Sequence, residues 1–327
     1  MSADDRPPSD PASIPPLWTI AEVERDTGIG KDTLRVWERR YGFPQPQRDA
    51  GGNRLYDRIQ LDRLRLIRRL LDAGHRPGRV VGLPTPQLQA LAQALDAGVA
   101  AAGSPTDEVA RALAWLRTDR VQELREDLRA ALRRHGLAGV VDALVAPLAV
   151  QVGLAWQRGE LQVYQEHLFT ETVQAVLREG LMVAEAASCA ARPSVLLTTP
   201  PGEVHQLGLL MVQCHLVEAG ARCVTLGPST PLADIAAAAQ RMAADVVGLS
   251  FSAWAAPRDV VETVQRLRGV MPSGVQLWVG GSGAQRPLKR VRLDGVLLLG
   301  HAAEVGAAVR RWRAAQPPAG LRGSSAP

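Results

Sequence analysis

Glu203-Val204-His205-Gln206-Leu207-Gly208 follows the apolar run Val195-Leu196-Leu197, where the chain begins to alternate strand and helix patterns. An imidazole on the loop leaving a strand is a ready metal ligand. A carboxylate two residues earlier can orient the ring and raise the basicity of its ligating nitrogen. Apolar strand candidates lie at 194–199, 222–226, 245–250, 275–279 and 294–299, separated by helical segments at 206–219, 231–243, 257–269 and 302–314. Strands joined by crossover helices predict a doubly wound, five-stranded parallel sheet over residues 191–314.

The ligand crevice of such a sheet runs along the carboxyl ends of its strands. Three motifs fall on that edge. Glu203-x-His205-x-x-Gly208 follows the first strand, Ser250-Phe251-Ser252 closes the third, and Gly280-Gly281 closes the fourth. Hydroxyl groups can hydrogen-bond a polar cofactor tail, and paired glycines let backbone approach it closely. His215 and His301 belong to no such motif and are expected to be structural.

Upstream, residues 106–190 are helical in period, in four runs at 106–117, 119–135, 137–157 and 161–187. Short connections between them predict an antiparallel four-helix bundle. Trp156 and the pair Glu166-His167 flank its last turn, so an aromatic plane and a polar pair can face one cavity. Pro84, Pro86 and Pro105 break the stretch 83–105, which reads as a linker holding one helix. Residues 1–16 and 315–327 read as disordered tails.

Residues 17–82 form a third pattern. Two short helices, from Thr19 and from Lys31 through Arg40, are joined across Gly28 and Gly30, which is a helix-turn-helix signature. Leu34, Val36 and Trp37 are the apolar positions of the second helix, and Tyr41 can add to its anchor. Lys31, Thr33, Arg35, Arg39 and Arg40 offer a polar, basic face to DNA. Arg48 and Arg54 flank Gly51-Gly52 in a hairpin that can act as a wing on phosphate or in the minor groove. Between Trp18 and Val80 there are 14 Lys and Arg against 9 Asp and Glu, so this segment alone accounts for the net charge of +5. A local basic excess points to a polyanionic partner.

At 327 residues the chain is too long for one ordinary core. It has no run of eighteen apolar residues, and its first sixteen are polar and Pro-rich. Neither a membrane span nor a secretory signal is expected, and the location is expected to be cytoplasmic. Cys189, Cys214 and Cys223 have no metal-site spacing and read as free thiols.

Trp18-Thr19-Ile20-Ala21-Glu22-Val23, Leu34 through Gly42 and Asn53-Arg54-Leu55-Tyr56 together resemble the MerR family of winged-helix regulators. The resemblance implies paired heads on double-stranded operator DNA, with Tyr56 among the DNA-facing residues. The long coiled coil of metal-sensing members is not evident. In the C-terminal part, 41 residues separate Gly208 from Ser250 and 27 separate Ser252 from Gly280. This order resembles the Asp/Glu-x-His-x-x-Gly, Ser-x-Leu, Gly-Gly series of cobalamin-binding domains, which have a Rossmann- or flavodoxin-like fold. The resemblance implies that His205 is the lower axial ligand to cobalt, with Ser252 where that family often has Leu.

Trp156 followed by Glu166-His167 is similar to the signature of CarH/LitR-type photoreceptor repressors, and the likeness then covers residues 18–314. It implies adenosylcobalamin as cofactor, with Trp156 and Val163 against the upper ligand and Glu166 and His167 holding the adenosyl group. It further implies a repressor, not an enzyme, that is a homotetramer in the dark and smaller in light. The pattern departs at Gln157, where that group carries His. An alternative reading keeps the DNA-binding role but makes the chain a sensor of cobalamin or another tetrapyrrole without photochemistry. A cobalamin-dependent methyl-transfer subunit is disfavoured, because the DNA-binding segment would then have no purpose.

Overall fold

The computed structural model describes residues 17–72, 75–100, 106–187, 191–252, 255–289 and 291–316. The chain forms two compact units, one reaching residue 104 and including 157–159, the other built from 105–156 and 160 onward. The tail expected at 1–16, residues 317–327 of the tail expected at 315–327, and Cys189 lie outside the described residues.

The N-terminal unit contains β1 (Trp18–Thr19), α1 (Ile20–Thr27), α2 (Lys31–Tyr41), β2 (Gln47–Arg48), β3 (Arg54–Tyr56), α3 (Arg58–Asp72), α4 (Pro77–Val80) and α5 (Thr85–Ala100). Helix α1 starts at a capping box. The Thr19 hydroxyl accepts from the Glu22 amide at 3.3 Å, and the Glu22 carboxylate accepts from the Thr19 amide at 2.7 Å. It ends at Gly28, whose φ of 64° only glycine adopts without cost.

Leu34 and Trp37 bury one side of α2. Val36 does not join them: it is 43% exposed, because two residues along a helix are about 200° apart in direction. Strand β1 pairs antiparallel with β3, which also pairs with β2, so the wing is a three-stranded sheet. Arg65 holds Asp26 through two parallel bonds of 2.8 and 2.7 Å, tying α3 to α1 in the interior. The helix expected within the linker is α5. Its Leu88 is fully buried in the same core, so it is packed rather than spanning open space.

The second unit begins with α6 (Asp107–Arg117), α7 (Val121–Val140), a π-helical turn (Val141–Val145), α8 (Ala146–Gln157) and α9 (Val163–Ala187). Gly136, at φ 73°, interrupts α7 where the sequence pattern breaks. The run Val121–Trp156 is long and apolar enough to cross a membrane by length and composition. Its Val140, Val141, Leu144, Leu148 and Val152 are instead buried in the bundle core.

A five-stranded parallel sheet follows: β4 (Ala191–Thr198), β5 (Ala221–Gly227), β6 (Val246–Ser250), β7 (Gln276–Gly280) and β8 (Val296–Leu298), in the order β5-β4-β6-β7-β8. The interleaved helices are α10 (Leu207–Glu218), α11 (Leu232–Arg241), α12 (Pro257–Val270), α13 (Ser282–Leu288) and α14 (Glu304–Ala314). Helices α11 and α12 pack on one face, and α10 and α14 on the other. The sheet is doubly wound, as the strand and helix spacing predicts.

Helix α10 also serves the bundle. Leu210, Cys214 and Val217 belong to the bundle core, whereas Leu209 and Leu216 belong to the sheet core. Glu218, at its end, accepts from the Ala138 amide at 2.8 Å, placing negative charge at the start of the helical limb after Gly136. Burial pushes both the Cys214 and Cys223 thiols up to about 12, so they are unreactive and free of disulfides.

Candidate functional site

Strands β4 and β6 are neighbours, but the chain leaves them toward opposite edges of the sheet, because β5 lies on the far side of β4. The loop after β4 therefore opens at a topological switch point. Hydroxyl groups fix that loop. Thr199 Oγ1 donates to the Glu203 carbonyl at 2.5 Å and accepts from the Ser229 amide at 2.8 Å. Ser229 Oγ in turn accepts from the Gly202 amide at 3.0 Å.

Glu203 is the hub of the arrangement. Its Oε1 accepts from His205 Nδ1 at 2.6 Å and from the His205 amide at 3.0 Å. Its Oε2 accepts from the Ser252 amide at 2.9 Å and from Ser252 Oγ at 2.7 Å. Burial opposes ionisation of this carboxyl, yet the hydrogen bonds from His205 and Ser252 bring it down to about 2. It is ionised at neutral pH, so the proton of a neutral imidazole sits on Nδ1 and ligation of a metal falls to Nε2. The His205 side chain is 53% exposed, against 8% for Glu203. A buried anion thus aims an accessible imidazole.

A cavity of about 940 Å³ opens at this edge. His205, Gly208, Ser250, Ser252, Gly280 and Gly281 all line it, so three motifs far apart in sequence converge as expected. Its inner wall reaches Leu197, Gly248 and Trp278, and its other side is the start of α8, at Ala146, Pro147, Ala149 and Val150. Mostly apolar walls with a few placed polar groups suit a large organic cofactor. Gly281 has φ +89°, and a Cβ there would overlap the Phe251 carbonyl. A Cβ on Gly208 would sit 3.4 Å from Ser250 Oγ, inside the space a ligand would use.

The residues expected opposite His205 do not line the cavity. Trp156 is half-buried against the bundle core. It lies seven residues beyond Ala149, on the same stripe of α8 as the cavity wall. Val163 is half-buried, Glu166 accepts from Thr170 Oγ1 at 3.0 Å, and His167 is 70% exposed. His215 is structural, as expected: it is buried, with Nε2 3.1 Å from Asp142 Oδ1, joining α10 to the π-helical turn. His301 departs from expectation and lines the cavity with Gly300 and Ala302. The signal was its place just past the fifth strand, on the edge that carries the other motifs.

In the N-terminal unit, Thr33, Arg35, Arg39 and Arg40 are exposed on α2, and Lys31 is half-buried. Lys31 pairs with Glu24 at 3.3 Å and Arg35 with Asp32 at 2.8 Å. Arg54 pairs with Glu38 at 2.8 Å, bracing the hairpin against α2, and exposed Arg48 donates to the Gly52 carbonyl at 3.1 Å. Tyr56 is a correction. It is fully buried in the head's core, so its side chain supports the hairpin from inside rather than facing DNA.

A helix-turn-helix with an exposed basic helix shares one chain with a cofactor fold whose histidine is aimed into a large cavity. These features define a ligand-binding transcription regulator. Residues 18–83 match the family of MerR HTH regulatory proteins, while 106–179 and 193–308 each match a B12 binding domain. The chain is 32% identical over 268 residues to the HTH-type transcriptional repressor CarH of Myxococcus xanthus, covering 79% of this chain and 86% of that protein. It is 33% identical over 280 residues to the repressor CarA of the same organism, covering 83% and 89%. The chain belongs to this family of MerR-type repressors with B12-binding domains. Its bundle and sheet also share their fold with the monomethylamine corrinoid protein of Methanosarcina barkeri, at a TM-score of 0.50 and 16% identity, over 64% of this chain and 100% of that one.

Replacing Glu203 by Gln keeps the size but puts an amide where a carboxylate met four donors. Removing the carboxylate partner of a histidine that ligates a metal typically costs about 10–100-fold in metal affinity, so if His205 ligates the cofactor's metal, cobalamin titration of E203Q shows that loss. The carboxyl lies near 2 in the fold, below its ordinary 4.5. Its contribution to stability, on the order of 3 kcal/mol, is therefore full above pH 4.5 and fades as pH falls toward 2. E203Q should flatten that part of the stability profile in acid-unfolding measurements.

Proposed function

We propose that this protein is a light-responsive transcriptional repressor that binds double-stranded operator DNA in the dark as an adenosylcobalamin-loaded homotetramer and releases it in light. The observation that carries the reading is the Glu203–His205–Ser252 arrangement at the mouth of the cavity, on a chain with a MerR-type head. In this reading Nε2 of His205 would ligate cobalt, with Glu203 orienting the imidazole and Ser252 anchoring Glu203. Gly208, Ser250, Gly280 and Gly281 let the cofactor approach the sheet edge. Trp156, Val163, Glu166 and His167 do not line the cavity, so in this reading they would meet the adenosyl group only once the cofactor fills it. Adenosylcobalamin, when bound, supplies a cobalt–carbon bond that visible light breaks.

Assembly converts several weak heads into one strong binder. Linking two binding modules can raise overall affinity by about 10²–10⁴ without any new contact. A change that separates protomers therefore lowers operator affinity without altering a head. The site of action is cytoplasmic. Exposed Arg39 and Arg40 are expected to meet phosphate, so R39A/R40A should weaken all duplexes. It should also reduce the log–log salt slope by about 0.9 for each phosphate no longer neutralised. Binding isotherms across a salt series measure this directly.

Gln157 supports a second reading, a regulator that senses cobalamin or another tetrapyrrole without photochemistry. Absorbance spectra of the adenosylcobalamin-loaded protein before and after green light, with size exclusion on the same samples, separate the two. A changed spectrum with a smaller particle is expected. An unaltered spectrum and particle size would favour the second reading.

A further inference from the structure

Helix α2 carries one residue that its packing does not explain. Leu34 and Trp37 point into the head's core and fix the rotation of the helix. At about 100° per residue, Val36 lies near the middle of the opposite face, with Asp32 one turn before it and Arg39 and Arg40 one turn after. All four are exposed. Val36 is therefore a β-branched apolar side chain on a charged face, where it stays 43% exposed and where a straight-chain residue would form helix better. It is also the sixth residue of α2, one turn past the N-terminal positions with which a recognition helix meets base edges.

Two nearby cations already have partners. Arg35 is paired with Asp32, and Arg54 with Glu38, so the face around Val36 is held in place before DNA arrives. In the major groove one base edge is apolar, the C5 methyl of thymine. We propose that Val36 reads a thymine methyl group, making α2 selective for an A·T pair at one position of each half-site. This deepens the DNA-binding reading and rests on it. Arg39 and Arg40 supply affinity, whereas Val36 supplies sequence preference.

The test uses the full-length protein, V36A, and an operator duplex selected from random sequence by the wild type. Each thymine is replaced in turn by uracil, which lacks only the methyl group. Burial of one methyl is worth about fourfold in affinity, so wild type should lose about fourfold at one position per half-site. V36A should show that loss already on the thymine duplex and lose nothing further on uracil. Uniform tolerance of uracil by wild type, or an equal uracil penalty in V36A, would overturn the proposal. If wild type selects no sequence at all, the DNA-binding reading itself falls, an outcome distinct from either. An unchanged thermal midpoint for V36A excludes misfolding as the cause.

Discussion

His205→Ala is expected to reduce cobalamin affinity by about a hundredfold or more, because on the proposed reading it removes the cobalt ligand itself rather than a group that orients it. The same substitution should lower the stability of the cofactor-free fold by about 1–3 kcal/mol, because the buried Glu203 carboxylate loses its Nδ1 donor. Glu203 would keep its bonds to Ser252 and to the residue-205 amide, so the loop has no reason to collapse. Cobalamin titration followed by absorbance, beside thermal unfolding without cofactor, separates the two effects. H205A should also lose any dark assembly that depends on the cofactor, while each head keeps its weak affinity for DNA. Normal cofactor binding by H205A would remove the basis for calling this histidine a ligand.

The second large effect is on the fold. Gly281 combines φ +89° with a position where a Cβ would overlap the Phe251 carbonyl. An L-residue there carries about 1–2 kcal/mol of backbone strain, and the obstacle is backbone that cannot swing aside. Gly281→Ala is expected to destabilise the C-terminal unit by about 3 kcal/mol or more, read as a lower midpoint in denaturant titration. Gly52→Ala, at φ +76° with nothing within 4 Å of the new Cβ, should cost only the strain. Gly208→Ala should cost little stability but weaken cofactor binding, since its methyl enters the cavity beside Ser250. Equal losses at 281 and 52 would show that the close approach to Phe251 contributes nothing.

Much of this architecture was legible in the sequence because its signals were long-range and periodic. Five apolar runs with helical spacers implied a doubly wound parallel sheet, and the edge motifs fell along the carboxyl ends of its strands. What escaped was short or depended on tertiary contacts. Two-residue β1 cannot show alternation, and α13 hides behind Gly280-Gly281 and Pro287. Val36 reads as apolar and so as core, but which face of a short helix is buried is settled by Leu34 and Trp37. Tyr56 is implied as DNA-facing by the resemblance, yet its ring packs into the head's core. His301 lacked a motif, and only the closure of the sheet brings it to the cavity. The upper face was legible only as the pattern from Trp156 to His167, and those side chains form no cluster on the cavity wall.

In the proposed function, one cofactor site governs the affinity of the DNA-binding heads. Operator affinity of adenosylcobalamin-loaded protein, measured on one sample in the dark and again after illumination, tests that coupling. Loss of multivalent binding predicts a drop of about a hundredfold or more on illumination. Equal affinity before and after light, with the cofactor bound throughout, would contradict it.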